Sequence, residues 1–571
     1  MAASRGYRRL AAAAAGVASA VLGAGLGELT AALIAPEASP FAVIGSALID
    51  MAPPWAKDAA IALFGTNDKL ALLIGIAIAL ILVAAGAGLL ELWRRPWGRV
   101  VMLAFGAIGA VAAMTRAGAG VPDWIPSTVA GVAAALALGV LMRRLPTEVP
   151  APRAAAEVPA SAVAVGVSGS GSFTEAPGSS PGTEAPASGS FAEAPAAEAP
   201  AIPTDRDAAS ARHDRDFERR TFLTWTASAA AIGVLAAIGG TIARAGSQAV
   251  ATVRQAIKLP AAAVVAPPVP AGAELGLTGL TSVMTPNEYF YRIDTALIVP
   301  QVDPADWSLR IHGLVEEEVT ITWDELLALP LEESITTLTC VSNPVGGDLI
   351  GNALWLGYPI RELLTRAKPT KDADMVLSRS IDGFTASSPL EALTDDRNAI
   401  LAVGMNGEPL PPEHGFPVRM VVPGLYGYVS ATKWVTELEV TRFDQSRAYW
   451  TDRGWSERGP IKLQSRIDVP RRNQGLSAGE TVIAGVAWQQ QVGVSKVEVQ
   501  IDDGPWQEAI LATAISDDTW VQWMFPWTAK PGSHKIRCRA TNSEGETQTE
   551  VDAFPAPDGA TGWQQLNIEV S

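Results

Sequence analysis

The chain has 571 residues, too many for one ordinary domain, and 48% of them are hydrophobic, which points to segments buried in lipid. A formal net charge of -16 excludes a nucleic-acid partner, because neutralising phosphate needs a basic surface. Two cysteines and four histidines (His213, His312, His414, His534) exclude an iron–sulfur cluster and a thioether-attached haem in this chain, and residues 1–212 hold no histidine to ligate a haem.

Uncharged apolar runs occupy residues 10–27, 70–90, 100–115, 124–142 and 221–243, each near the roughly 20 residues a bilayer span requires. Five transmembrane helices are expected. The apolar segment 41–65 is interrupted by Asp50, Pro53, Pro54, Lys57 and Asp58 and reads as an extramembrane or re-entrant excursion. Arg5, Arg8 and Arg9 precede the first span, Arg94, Arg95 and Arg99 separate the second and third, and Arg143, Arg144, Arg215, Arg219 and Arg220 lie between the fourth and fifth. Cytoplasmic loops retain arginine, so the N-terminus is expected inside and everything after the fifth span outside.

Four spans make up a transmembrane unit, 1–144, and a linker, 145–216, follows. Its Ala, Pro, Ser, Gly and Glu bias cannot bury enough apolar surface to offset chain entropy, so it is expected to be disordered. The fifth span, within 217–246, enters through "DFERRTFLTWTASAAAIGVLAAIGG". Arg219 and Arg220 there resemble a twin-arginine export signal and equally suit the basic flank of an ordinary membrane helix; both readings stay open.

Beyond it, residues 278–451 alternate β-rich runs such as "WSLRIHGLV" with the helical "TWDELLALP" and "YPIRELLTRA", which predicts an α+β domain. Residues 452–571 alternate inward and outward positions in "ETVIAGVAW", "VSKVEVQIDDGPWQEAIL" and "HKIRCRATN", with Asp503-Gly504 as a hairpin turn. A β-sandwich of immunoglobulin type is expected there. No phosphate-binding loop or dinucleotide fingerprint occurs, and a zinc site would have to gather isolated ligands. A cofactor that takes one thiolate remains open. Cys340 sits in "TTLTCVSNPVGG", where a β-rich run breaks into turn residues, whereas Cys538 alternates with Ile536 and Ala540 in a strand and reads as core.

"FYRIDTALIVPQVDPADWSLRIHGLV", then "TLTCVSN", then "MNGEPLPPEHGFPVRMVVPG" and "YVSATKW", then a β-sandwich, resemble the sulfite oxidase family of molybdopterin enzymes in order and spacing. The resemblance implies that Cys340 is catalytic and supplies a thiolate ligand to molybdenum; the alternatives are a structural thiol or a disulfide to Cys538. It also implies that Tyr291, Arg292, His414, Arg419, Ser430 and Lys433 hold the pterin and its phosphate, with Arg292 near the reacting centre. One extra residue between Gly427 and Lys433 makes Thr432 a competitor for the last position. His312 matches no family position and reads as a strand histidine.

The sequence departs from the family where the substrate sits. Pro344 and Val345 stand where an arginine pair is expected, Val403-Gly404 where a tyrosine is expected, and a lysine falls in a deletion before Asp348. Removing fixed positive charge from a desolvated pocket weakens binding of a dianion, so sulfite is a doubtful substrate and reduction of a neutral sulfoxide a better one. Arg379, Arg466 and Arg471 are the residues that would restore that charge from other loops. The sequence therefore predicts a multi-pass, membrane-anchored, molybdenum–molybdopterin oxidoreductase with its catalytic domain on the outer face. Expected partners are membrane lipid, a separate electron-transfer protein or quinone-linked partner, a small-molecule substrate and, as one arrangement, a second copy in a homodimer through the β-sandwich. The alternative is a cofactor-free binding or assembly subunit of the same fold.

Overall fold

The computed structural model describes residues 2–35, 38–51, 68–115, 120–145, 220–238, 247–296, 299–471 and 475–571. Residues 146–216 of the expected linker, Arg219 of the arginine pair and residues 52–65 of the interrupted apolar segment lie outside the described residues. The N-terminal part folds as α1 (Ala2–Ile34), α2 (Pro40–Met51), α3 (Asp68–Trp93), α4 (Trp97–Met114), α5 (Trp124–Arg143) and α6 (Arg220–Ile238), followed by α7 (Ser247–Ala256). All of these except α2 and α7 are long and apolar enough to cross a membrane, and they coincide with the five runs read from sequence.

Helices in such a bundle gain little from burying apolar side chains away from lipid, so close backbone approach carries the packing. A side chain added at Gly106 of α4 would lie 2.7 Å from the Cα of Gly131 on α5. Arginines gather at one end of the bundle: Arg95 donates to the Met142 carbonyl at 3.1 Å, Arg99 pairs with Glu91 at 2.9 Å, and Arg144 stacks on Trp225 at 3.9 Å. The ends of α3 and α5 and the starts of α4 and α6 are thereby tied together.

The next unit contains β1 (Ser308–Gly313), β2 (Val319–Thr322), α8 (Trp323–Leu327), β3 (Glu332–Thr339), β4 (Ile350–Pro359), α9 (Ile360–Ala367), β5 (Met375–Ser380), β6 (Thr385–Pro389), α10 (Leu390–Thr394), β7 (Ile400–Met405), β8 (Glu408–Pro409), β9 (Arg419–Val421) and β10 (Val435–Thr441). They form two sheets, a mixed one of order β2-β1-β10-β5-β6 in which β1 and β10 run parallel, and an antiparallel one, β3-β4-β7-β8, in which β9 pairs with β7. Local chemistry explains the helices. Thr322 and Glu325 close a capping box on α8, and α9 buries Ile360, Leu363, Leu364 and Ala367 at helical spacing.

The C-terminal unit contains β11 (Gln464–Val469), β12 (Gly479–Trp488), β13 (Val494–Ile501), β14 (Gln507–Glu508), β15 (Ile510–Leu511), β16 (Val521–Ala529), β17 (Gly532–Asn542) and β18 (Gln565–Val570). Two four-stranded sheets, β11-β12-β16-β15 and β14-β13-β17-β18, enclose a core that includes Ile483, Trp523, Ile536, Cys538 and Ala540. Both cysteines are free, and Cys538 takes the core position its alternation indicated. The hairpin turn sits one residue earlier than expected. Asp502 and Asp503 take the left-handed conformation and Gly504 donates to the Ile501 carbonyl at 3.0 Å, because aspartates tolerate positive φ when their carboxylates are held, here by Lys535 and His534.

The two β units interlock. Gln490 donates to the Thr337 carbonyl at 2.9 Å and the Thr339 hydroxyl at 3.1 Å, and the Trp520 backbone amide donates to the Thr337 hydroxyl at 2.9 Å. Trp520 also donates its indole proton to the Val283 carbonyl at 2.9 Å. These bonds hold the last residues of β3, one step from Cys340.

Candidate functional site

Cys340 follows β3 directly, and the chain turns sharply behind it. Its amide donates to the Leu349 carbonyl at 3.0 Å, its carbonyl accepts from Asn343 at 3.1 Å, and the Asn343 side chain accepts from the Leu349 amide at 3.0 Å. Gly346 in this loop has φ 75°, a conformation strained for a residue with a side chain. The thiol is buried, and burial pushes its pKa above the ordinary value against the lowering effect of hydrogen bonds at Ser342. It stays a thiol until a metal or a cation favours the thiolate.

Cys340 opens into a cavity that also collects Tyr291, His414, Arg419 and Lys433. His414 ends a short turn (Pro412–His414) and is held by the Asn287 carbonyl at 3.1 Å and the edge of Phe290 at 5.5 Å. Arg419 on β9 donates to the His414 carbonyl at 3.0 Å and lies over the Trp355 ring at 5.1 Å. Lys433 donates to Asp294 at 2.7 Å and to the Glu413 carbonyl at 3.0 Å. Arg292, expected near the reacting centre, is not among the residues that line the cavity; its side chain is 40% exposed and shares Asp294 at 2.9 Å.

Ser430 and Thr432 are turned elsewhere. The Ser430 hydroxyl bonds the Leu425 and Tyr426 carbonyls at 3.2 and 3.0 Å, and the Thr432 hydroxyl meets Ser378 at 2.7 Å in a buried contact. Of Thr432 and Lys433, it is Lys433 whose side chain lines the cavity. His312 pairs with Glu437 at 2.5 Å between β1 and β10, and Arg379 pairs with the same carboxylate at 2.9 Å. Arg466 and Arg471 line a separate cleft with Val345, where Arg466 donates to the Gly347 carbonyl at 2.9 Å. Val403 is buried within β7.

Burial governs the basic groups. It lowers Arg419 to about 10, lowers Lys433 to about 8 against the opposing pull of Asp294, and lowers His414 to about 4 with help from Arg419. At neutral pH the imidazole is uncharged while Arg419 carries a charge and donates to the Met420 and His414 carbonyls. Such a cluster is unfavourable alone and is relieved by an anion.

Several lining residues were not read from sequence. Asp294 lies two residues from Arg292 inside the "FYRID" motif, a spacing that suits a local ion pair and was its only signal. Asp382, Phe384, Tyr428, Trp450 and Trp455 also line the cavity. The tryptophans come from "YWTDRGW", a cluster of rings at the boundary between the β units.

The donor set fits a molybdenum–pterin group. One thiol suits a soft metal whose remaining ligands come from elsewhere, and forked guanidinium and ammonium groups suit a phosphate. Among the described residues no group of three or more His, Cys, Asp or Glu side chains gathers to hold a metal ion by itself. Residues 296–450 match the family described as "Oxidoreductase molybdopterin binding domain". The Uncharacterized oxidoreductase YuiH of Bacillus subtilis (strain 168) is 32% identical over 157 residues, which are 28% of this chain and 76% of that protein. Mitochondrial sulfite oxidase of Rattus norvegicus is 30% identical over 273 residues, 40% of this chain and 50% of that protein. Sulfite oxidase of Gallus gallus is 27% identical over 316 residues, 47% of this chain and 68% of that protein. The match thus spans about half the length of the rat enzyme. The solved structure of the sulfane dehydrogenase SoxCD from Paracoccus pantotrophus covers 50% of this chain and 82% of its own, at 23% identity and a TM-score of 0.45.

Fold and cavity define a molybdopterin-binding oxidoreductase domain. The chain belongs to the sulfite oxidase family of molybdopterin-dependent oxidoreductases.

The depressed His414 pKa makes stability depend on acid. Between pH 6.5 and about 4 the unfolded chain binds a proton that the buried ring refuses, so stability rises with pH across this window and is lost as pH falls through it. Melting temperature should drop between pH 6.5 and 4, by the equivalent of at most about 3 kcal/mol from this group. His414→Gln should flatten that part of the profile; an unchanged slope in the variant would assign the acid sensitivity to other groups.

Proposed function

We propose that the protein is a membrane-anchored molybdopterin oxidoreductase that transfers an oxygen atom to or from a small organic substrate on the outer side of the membrane. The single observation that carries this reading is the placement of the free Cys340 thiol in one cavity with Arg419 and Lys433. When bound, the molybdenum cofactor supplies two-electron redox chemistry and oxygen-atom transfer. Cys340 would be its protein ligand. Arg419 and Lys433 would hold the phosphate, with the neutral His414 as a hydrogen-bonding neighbour and Tyr291 packed along the pterin; Ser430 and Thr432 would act through the backbone turn they brace.

The chain's own groups shape the rest of the chemistry. Asp294, which lines the cavity, fixes the Lys433 ammonium there and also pairs with the Arg292 guanidinium. Phe290, Trp434 and the residues of the aromatic wall exclude water, which strengthens every charge interaction inside. The cations that line the cavity are assigned to the phosphate, and Arg379, Arg466 and Arg471 lie outside it, so little positive charge is left for a dianion such as sulfite. This supports a sulfoxide over sulfite.

Membrane anchoring is supported by the five apolar helices, and the outer location of the catalytic domain by the arginines gathered at one end of the bundle. The C-terminal sandwich is read as immunoglobulin-like. Electrons would pass to or from a separate carrier, since two widely separated cysteines offer no cluster within the chain.

The purified protein should contain one molybdenum per chain, and Cys340→Ser should lose it; full metal in the serine variant would remove the ligand role. Steady-state assays should show turnover of methionine sulfoxide with a reduced dye and poor turnover of sulfite with an artificial acceptor. Efficient sulfite oxidation at micromolar Michaelis constant, an ordinary physiological range, would reverse the substrate reading. Protease added to intact spheroplasts should cleave residues beyond 247 and spare the arginine-bearing segments 91–99 and 143–220 at the inner face; protection of the catalytic domain would place it inside.

A further inference from the structure

One wall of the cavity has a chemistry that neither a pterin phosphate nor sulfite would use. Trp450 and Trp455 stand with ring centroids 6.1 Å apart at 74°, and Tyr428 meets Trp455 at 5.9 Å and 52°. Phe384 continues the wall, and all four rings line the cavity together with Asp382. A hollow lined by several aromatic rings offers π surface to its occupant, the chemistry that attracts an organic cation. Asp382 adds a full negative charge. Its carboxylate accepts two long bonds, from the Phe384 amide at 3.3 Å and the Thr295 hydroxyl at 3.4 Å, and among the described residues it pairs with no cation.

The nearby cations are committed elsewhere. Lys433 and Arg292 share Asp294, Arg419 bonds the His414 carbonyl, and Arg453, close in sequence, lies over Tyr449 at 3.5 Å and bonds its carbonyl at 2.8 Å. With those cations assigned to the phosphate, an anionic substrate placed beside the rings would meet the Asp382 carboxylate. A neutral group would leave that carboxylate partly dehydrated and unpaired, which costs free energy that a cation would recover.

We propose that Asp382 and the rings of Phe384, Tyr428, Trp450 and Trp455 form a subsite for a positively charged alkylammonium group on the substrate. This rests on the reading of the cavity as an oxygen-atom-transfer site and narrows its substrate class to a small organic oxide that carries an ammonium centre. Cation–π contact with the rings supplies shape and selectivity, and Asp382 supplies the charge term.

The test uses the purified full-length protein with its molybdenum content measured, and isothermal titration calorimetry with choline and with neohexyl alcohol, its uncharged carbon isostere. Choline should bind saturably and at least about tenfold more tightly than the isostere, because a desolvated cation–π site with a carboxylate is worth that ratio or more. Asp382→Asn should reduce choline affinity by about tenfold and leave the isostere unchanged, and Trp455→Leu should weaken both. Equal affinities in the unmodified protein, no saturable choline binding, or an unchanged ratio in a folded Asp382→Asn protein would overturn the subsite. If Asp382→Asn does not fold, Trp450→Leu takes its place, and undiminished choline binding there overturns it as well. Loss of discrimination in protein with full molybdenum rejects the subsite and leaves the proposed function standing. Absence of molybdenum rejects the proposed function, while the choline ratio is still scored.

Discussion

Buried positive charge is the constraint around which the catalytic unit is arranged. Arg419 and Lys433 are both almost fully enclosed, and one carboxylate, Asp294, is shared between Lys433 and Arg292. Charges so placed cost free energy unless they are hydrogen-bonded and compensated. The surrounding structure answers that demand with carbonyls: the turn Pro412–His414 lends His414 to Arg419 and Glu413 to Lys433, and β9 presents Met420 beside the guanidinium. Trp355 offers its ring to Arg419, and Phe290 fixes His414 from the other side. What the fold leaves uncompensated is a place for a bound anion.

The thiol is positioned by a different route. Cys340 lies one residue past β3, and β3 is gripped from the C-terminal unit by Gln490, Asp518 and Trp520. Arg466 of β11 holds the Gly347 carbonyl and the Thr281 hydroxyl on the far side of the same loop. The C-terminal sandwich thus serves as a buttress for the strand that leads into Cys340. Residues near Thr281 and Val283 run between the units and are bonded to both, Thr281 to Asp468 and Val283 to Asn352 and Trp520.

Much of this was legible in the sequence because the signals were long or periodic. Apolar runs marked the five membrane-length helices, α9 declared itself by Ile360, Leu363, Leu364 and Ala367, and alternation marked β12, β13 and β17. The shortest pieces, β8, β14 and β15, have two residues each and exist through tertiary pairing, so no local pattern announces them. Within the site, Cys340, Tyr291, His414, Arg419 and Lys433 were named from motifs and meet in one cavity. Side-chain direction was not readable: Ser430 and Thr432 carry small hydroxyls that backbone or a neighbouring hydroxyl can satisfy as readily as a ligand. Asp382 and the tryptophans of "YWTDRGW" join the cavity by chain crossing, a relation that sequence spacing does not encode.

The docking of α7 sets a mechanical limit on the whole molecule. Arg254 pins that helix to β8 through the Pro409 carbonyl at 2.6 Å, the Leu410 carbonyl at 2.8 Å and Glu408 at 3.0 Å. Between the last described residue of α6, Ile238, and the first of α7, Ser247, lie residues 239–246. Whatever path they take, eight residues cannot separate the two helices by more than about 30 Å. The sheet edge that Arg254 grips is therefore confined to a shell of that radius about the end of α6.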